Sequence, residues 1–172
     1  MALKKFASKA IRKSASIISR LSGKRILNID SKGAGASSTL SNFTRSPFVL
    51  DGVKWESFEG FWQGIKFPEG NEKRKIAQQL HGTEAKKISQ GIQSTHLFYG
   101  GKKIDFGSNE LYALAKRAER QRFLQNQEQL KALLSTRNAR LIYIVSMQDS
   151  KSLPRKVFCK ILMELREEFQ KN

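Results

Sequence analysis

The stretch from residue 40 to residue 67, LSNFTRSPFVLDGVKWESFEGFWQGIKF, most constrains what this chain can fold into. It holds both tryptophans of the chain, several phenylalanines and an Asp-Gly pair, which favours the positive φ angles of a tight hairpin turn. We therefore predict a hairpin over residues 47–55, followed by a helix with Ser57 at its N-cap. One carboxylate, Glu59, falls in the first turn of that helix among aromatic residues. Burial there would desolvate the carboxyl group and move its pKa, as acid–base chemistry requires.

The order of residues in this stretch carries a resemblance to a known family. Ser-Asn-Phe at residues 41–43 is followed by Pro-Phe, Asp-Gly, Trp55, Glu59, Gln63 and Lys66-Phe67. This order resembles the opening signature of the NADAR family, and LMELREEF at residues 162–169 resembles that family's final helix. These proteins are YbiA-like N-glycosidases, linked to NAD and ADP-ribose metabolism and to cleavage of riboflavin-pathway intermediates. The resemblance implies one YbiA-like domain over residues 30–172.

The resemblance also implies an activity and a set of site residues. The activity is hydrolysis of a ribosyl N-glycosidic bond, in ADP-ribose conjugates or in related nucleotide or riboflavin-pathway intermediates. This chemistry needs a carboxylate that stabilises an oxocarbenium-like centre or activates water. The expected catalytic residues are Glu59 and Asp149, and the expected substrate-binding residues are Asn42, Phe43, Trp55, Trp62 and Lys66.

Each substrate-binding residue has an expected role. Asn42 would fix a ribose or phosphate oxygen, and Lys66 would meet a phosphate. Trp55 and Trp62 would offer ring faces to the ligand, although core packing is the alternative interpretation of both rings. No cofactor is expected. No metal ion is expected either, because the chain's two histidines, His81 and His96, lack cysteine or acidic partners at ligand spacing.

One segment departs from the family's pattern. Where the family carries Trp-Gly-Asp-Gly and a glycine-rich loop before its last helix, this chain has Ser-Met-Gln-Asp at residues 146–149, followed by Pro154 and basic residues. The tryptophan position becomes Met147, and the backbone freedom that glycine gives for close ligand approach is lost. The pocket therefore either accepts a different ligand or has reduced or no activity. We place Asp149 across the pocket from Glu59, with the carboxyl groups roughly 5–10 Å apart.

The net charge of +17 indicates attraction to polyanions, such as nucleic acid, an anionic membrane or a phosphorylated ligand. Residues 1–29 contain no Asp or Glu and read as a basic amphipathic extension. Four interpretations stay open. The extension is an organelle transit peptide, a segment lying on anionic lipid, a basic arm for nucleic acid or particle packaging, or a frayed helix whose charges face water. Two of them make residues 1–25 a contact to nucleic acid or an anionic surface.

The remaining pattern predicts an α+β fold, mostly helical, in a single domain with a few short strands. The sequence predicts helices over residues 69–81, 84–91, 109–125 and 127–134, a small hairpin or an ordered loop over residues 95–106, and strands over residues 26–29 and 141–145. The helix over residues 109–125 carries a basic cluster made of Lys116, Arg117, Arg120 and Arg122. This cluster is either a phosphate or nucleic-acid surface or a set of ordinary solvated helix charges.

Two other function classes stay open beside the enzyme. A binding protein that keeps the ADP-ribose pocket without catalysis is favoured by Met147, and a basic nucleic-acid-associated structural protein of a phage is favoured by the N-terminal charge. No apolar run approaches the ~20 residues needed to cross a bilayer. The lone cysteine, Cys159, indicates a reducing compartment. We therefore expect a cytoplasmic protein of a bacterium or a phage-infected cell, with organelle targeting as the alternative.

Overall fold

The computed structural model describes residues 25–92, 96–144 and 153–171, and over these residues the fold is α+β, as predicted. The elements in chain order are β1 (Ile26–Asn28), α1 (Ala36–Thr39), β2 (Phe48–Leu50), β3 (Val53–Trp55), α2 (Phe58–Gly64), α3 (Glu72–Gln78), α4 (Gly82–Lys87), β4 (His96–Tyr99), β5 (Lys102–Asp105), α5 (Asn109–Gln125), α6 (Gln127–Ser135), β6 (Arg140–Ile142) and α7 (Arg155–Lys171). None of these helices is long and apolar enough to cross a membrane.

The hairpin predicted over residues 47–55 is confirmed. Strands β2 and β3 pair antiparallel, and the turn residues Asp51 and Gly52 have φ angles of 49° and 80°. On the outer edge of β2 the side-chain amide of Gln125 bonds both backbone groups of Val49. Its Oε1 accepts from the Val49 N–H at 2.7 Å, and its Nε2 donates to the Val49 carbonyl at 2.9 Å. The end of α5 is thereby tied to the hairpin.

Helix α2 is the buried centre of the fold. The predicted cap is confirmed, because the Ser57 Oγ accepts a hydrogen bond from the Gly60 N–H at 2.9 Å. Every residue of α2 is buried, so the helix has no solvent face. The Phe61 ring meets Trp55 edge to face, with the ring centroids 5.4 Å apart. A helix buried on all sides fixes the direction of each side chain that it carries, Glu59 included.

The helix predicted over residues 69–81 is shorter than expected. Gly70 has a φ of 84°, and the Asn71 side chain caps the helix by accepting from the Lys73 N–H, so α3 begins only at Glu72. It ends at Gln78, and α4 starts at Gly82, whose φ is 60°. The left-handed backbone at Gly70 delays the start of the helix predicted over residues 69–81, and that at Gly82 lies where the next helix begins.

The two long helices lie where the sequence predicts them, whereas one residue of the basic cluster does not lie on the surface. Helix α5 has the predicted bounds, and α6 ends one residue beyond the predicted 134. Arg122 is fully buried, so for this residue both surface interpretations are wrong. The other three cluster residues each bond a carboxylate: Lys116 with Glu164, Arg117 with Asp51 and Arg120 with Glu168.

Two further strand pairs complete the described fold. Strands β4 and β5 form the predicted small hairpin, and β1 pairs with β6 in parallel, with Leu27 opposite Leu141. Residues 26–29 therefore pack against the described fold, and Ile29 is 0% exposed. The basic extension otherwise falls on residues 1–24, which lie outside the described residues.

The contact between α2 and the end of α3 yields the first prediction. A Cβ on Gly60 would lie 2.6 Å from the carbonyl oxygen of Ala77 and 2.7 Å from that of Leu80. Replacing a glycine inside a helix by alanine ordinarily stabilises the protein by up to about 1 kcal/mol. Here the clash with backbone should outweigh that gain, so Gly60→Ala is expected to lower the free energy of unfolding by about 1–3 kcal/mol.

Denaturant unfolding followed by circular dichroism measures this effect. Gly64→Ala is a second variant at the same interface, where the added Cβ would lie 2.5 Å from the Trp55 ring instead of a carbonyl. An unfolding midpoint of Gly60→Ala at or above that of the wild type would show that α2 is not held as closely as described.

Candidate functional site

The carboxylate of Glu59 is the centre of the candidate site. Glu59 is only 4% exposed, and two side-chain amides donate to its oxygens. The Asn42 Nδ2 donates to Oε2 in a short contact, and the Gln63 Nε2 donates to Oε1 at 2.8 Å. The backbone adds a third tie, because the Glu59 N–H donates to the Asn42 carbonyl at 3.0 Å. The turn that carries Asn42 and the first turn of α2 are thus bonded through both backbone and side chains.

A second line of polar side chains leads from Lys66 to Glu59. The Lys66 Nζ donates to the Ser89 Oγ at 3.3 Å, and the Ser89 hydroxyl donates to the Gln63 Oε1 in a short contact. The amide of Gln63 is therefore oriented with its Nε2 towards Glu59. Lys66 is 6% exposed, so its positive charge lies inside the protein, at the end of this network.

The carboxyl ends of the parallel strands β1 and β6 adjoin the same site. Tyr143 follows β6, and its hydroxyl donates to the Asn42 Oδ1 at 3.4 Å. Asp30 follows β1, and its Oδ1 accepts from the Lys32 N–H at 3.0 Å. In sheets with parallel strands, ligand sites are typical of this end. Neither residue was predicted for the site, although a polar side chain directly after each of two strands is a signal that the sequence contains.

The local charges set the pKa values of the site. Burial raises the pKa of Glu59 above its ordinary value of 4.5, and the amide of Gln63, the positive charges of Lys86 and Lys66 and the amide of Asn42 oppose that rise. Burial, followed by the negative charges of Glu59 and Asp30, raises the pKa of Tyr143 to about 12. The tyrosine therefore stays a neutral hydroxyl at neutral pH, while Glu59 sits in surroundings that disfavour its ionised form.

The aromatic residues predicted for the site differ in their burial and in their neighbours. Trp55 is 0% exposed and packs against Phe61 on one side and the Arg74 guanidinium on another, which favours its interpretation as a core residue. Trp62 is 2% exposed. In the described part of the chain neither indole N–H has a hydrogen-bond partner. Phe43 is half-buried in the turn next to Asn42.

The structure thus brings together Asn42, Glu59 and Lys66 through one network, with Gln63, Ser89 and Tyr143 added. Asp149 lies outside the described residues, and so does its predicted distance from Glu59. The Glu59 network is separate from a groove of about 690 Å³ between the β2–β3 turn, the start of α3 and Tyr99. Among the described residues predicted for the site, none lines that groove.

Comparison with known proteins shows the family to which this chain belongs. A family model described as "Bacteriophage protein GP30.3" matches residues 35–167, and the chain belongs to that family. The matched range includes the turn with Asn42, all of α2 and most of α7.

Two individual proteins are similar to the chain. The E. coli protein YbiA, solved by NMR, has a TM-score of 0.62 with 85% of each chain covered, at 21% sequence identity, so it shares the fold. An "Uncharacterized 17.1 kDa protein in Gp30-rIII intergenic region" of Enterobacteria phage T4 is 42% identical over 50 residues. That match spans 29% of this chain and 33% of the relative's length.

The electrostatics of the site yield the second prediction. The charge of Lys86 lowers the pKa of Glu59, so Lys86→Ala should raise that pKa further above 4.5. The carboxyl carbon shift of Glu59, followed by NMR through a pH titration, measures the change. Lys87→Ala is the matched control, because Lys87 is the exposed neighbour on α4 and is not among the charges that act on Glu59. Equal changes in the pKa of Glu59 in the two variants would show that the net charge of the protein, and not the position of Lys86, determines the effect.

Proposed function

We propose that this phage-family protein is an N-glycosidase-like hydrolase that acts on a ribosyl N-glycosidic bond, as the resemblance to the NADAR family implies. The ligands proposed are ADP-ribose conjugates or related nucleotide and riboflavin-pathway intermediates. The observation that carries the proposal is the buried Glu59 carboxylate, bonded by Asn42 and Gln63 and bordered by Tyr143. The YbiA-like fold supports it at the level of architecture.

The chemistry proposed is the addition of water across the bond between the ribose C1′ and the base nitrogen. The bond breaks with its electron pair leaving on the base, the hydroxyl of water joins C1′, and a proton goes to the departing nitrogen. A carboxylate beside C1′ stabilises the positive charge that develops there, or takes the proton from the attacking water. Glu59 is the described carboxylate suited to this role, because desolvation strengthens its interaction with a developing charge.

The hydrogen-bond directions around Glu59 support the proposal. Asn42 and Gln63 both donate to the carboxylate, so they favour its ionised form. Lys66 and Ser89 orient Gln63 from behind. Under the proposal Asn42 fixes a ribose or phosphate oxygen, Lys66 supplies positive charge for a phosphate, and Phe43 with Trp62 borders the ligand. A carboxylate that is exposed to solvent is stabilised by water and would not need these two amides.

The third prediction tests Glu59 directly. Glu59→Gln keeps the size of the side chain and removes its charge, so turnover is expected to fall by roughly 10²–10⁴-fold while ligand affinity is kept. Folding raises the pKa of Glu59, so the stability that this group contributes is lost as the pH rises through the folded pKa. At neutral pH, removal of the buried charge should offset the loss of one of the two acceptor oxygens that Asn42 and Gln63 use, so the thermal midpoint should change little.

The assay uses ADP-ribosylated DNA, ADP-ribose conjugates and riboflavin-pathway intermediates, with product analysis by mass spectrometry. Glu56→Gln is the matched control, because it makes the same chemical change at an ion pair with Arg45 and Lys54. Undiminished turnover in Glu59→Gln would remove Glu59 from the mechanism. Ligand binding by a wild type that turns over none of the substrates would favour the alternative proposal, a catalytically inactive binding protein.

The second carboxylate stays as the sequence assigns it. Asp149 is proposed as the partner of Glu59, and Asp149→Asn in the same assay tests that assignment. If Asp149→Asn keeps full turnover, the single carboxylate of Glu59 has to serve both charge stabilisation and water activation. The altered segment around Met147 is the observation that favours an inactive binder over an enzyme.

The N-terminal charge favours a second function, association with nucleic acid or an anionic surface in the phage-infected bacterial cytoplasm. The fourth prediction is that deleting residues 1–24 weakens binding to DNA or to anionic vesicles, most clearly at low salt. The thermal midpoint should change little. Fluorescence anisotropy and calorimetry measure the two effects, with the glycosidase assay as a control for the site. A loss of folding on deletion would show instead that the extension packs against the domain.

A further inference from the structure

Helix α5 carries a fully buried ion pair close to the candidate site. Glu119 and Arg122 are both 0% exposed, and the Arg122 Nε and Nη2 lie 2.9 Å and 2.8 Å from the Glu119 Oε2. Burial raises the pKa of Glu119 to about 7, and the guanidinium opposes that rise. Removing such a pair from water is unfavourable, and an apolar pair of similar volume often stabilises a protein as well or better. Stability alone therefore does not explain this pair, and the contacts of Arg122 indicate its role.

Arg122 contacts the chain immediately before Asn42. Its Nη1 donates to the Ser41 carbonyl at 3.1 Å, and its Nη2 reaches the Leu40 carbonyl at 3.4 Å. Leu40 and Ser41 are both 0% exposed, so these carbonyls are shielded from bulk solvent and need partners within the protein. The Ser41 carbonyl also accepts from the Thr44 N–H at 3.2 Å, which closes the turn around Asn42.

The next residue along the chain is the one that bonds Glu59. Asn42 accepts the Glu59 N–H through its carbonyl and donates to the Glu59 carboxylate through its side chain. One continuous path therefore runs from Glu119 to Arg122, to the carbonyls before Asn42, and to Glu59. Each link is a direct hydrogen bond or a covalent neighbour, and along this path only Asn42 is partly exposed.

We propose that Arg122 is a positioning residue for the contact between Asn42 and Glu59, and that Glu119 is the counter-ion that orients Arg122. The two residues touch no ligand. They hold the turn at residues 40–44 against α5, so that the Asn42 amide faces the carboxylate of α2. The catalytic consequence rests on the proposed function, whereas the structural coupling does not.

The experiment measures local opening of the turn by amide hydrogen exchange. In Arg122→Lys and in Glu119→Gln, the Glu59 amide, which is bonded to the Asn42 carbonyl, should exchange roughly tenfold faster or more relative to core amides of α7 such as Leu162. Lysine keeps the charge but lacks the planar fork that serves two carbonyls and a carboxylate together. Glutamine keeps the shape of Glu119 and removes its charge.

A matched control is present in α7. Arg166 is also buried, and its Nη1 donates to the Thr136 hydroxyl at 2.9 Å and to the Ala139 carbonyl at 2.8 Å, in the segment after α6. Arg166→Lys should lower global stability without selectively exposing the Glu59 amide. If Arg122→Lys and Arg166→Lys change the exchange of Glu59 and Leu162 in the same ratio, Arg122 has only a general stabilising role and the proposal is overturned.

Turnover gives the second readout. If the wild type is an N-glycosidase, Arg122→Lys should lower kcat and raise KM, since the displaced Asn42 both bonds the Glu59 carboxylate and, under the proposed function, contacts the ligand. If the wild type shows no turnover, the proposed function fails and the exchange result still decides whether Arg122 positions Asn42. Unchanged kcat together with unchanged exchange at Glu59 would contradict the inference in both respects.

Discussion

A carboxylate that leaves water needs hydrogen-bond donors in place of the water it loses. At Glu59 these donors are the amides of Asn42 and Gln63, and each of the two side chains makes a further hydrogen bond. Ser89 orients Gln63 from α4's C-terminal side, and the turn that carries Asn42 is bonded to the backbone of α2. These hydrogen bonds are needed because every residue of α2, Glu59 included, is buried, and the segments packed around the helix supply them.

The supports come from segments that are far apart in the chain. The Tyr143–Asn42 contact joins residues 101 positions apart, and the Arg122–Ser41 contact joins residues 81 positions apart. Such contacts form only when α5 and the β1–β6 pair have docked on the first half of the domain. The geometry around Glu59 is therefore a property of the assembled domain, although most of its polar groups lie in the stretch from residue 40 to residue 67.

The sequence predicts well what depends on neighbouring residues. The hairpin turn at Asp51, the Ser57 cap and the bounds of α5 follow from local backbone preferences and apolar spacing, which a single sequence displays. Ser89 and Tyr143 were missed because no local pattern says which loop meets which helix. The burial of Arg122 could be predicted in part from the sequence. It lies on the same stripe of α5 as Ala115, Ala118 and Glu119, all of which are buried.

The amide of Gln125 on the edge of β2 has a consequence for how copies of this protein meet one another. An unpaired strand edge offers its N–H and C=O groups to any other extended chain, and a polypeptide that adds there can continue the sheet from molecule to molecule. At Val49 those two groups are already taken by a side chain that mimics a peptide unit. A strand from a neighbouring copy would have to displace Gln125 first, so the hairpin is protected against sheet-to-sheet polymerisation at the residue where its outer edge is most exposed.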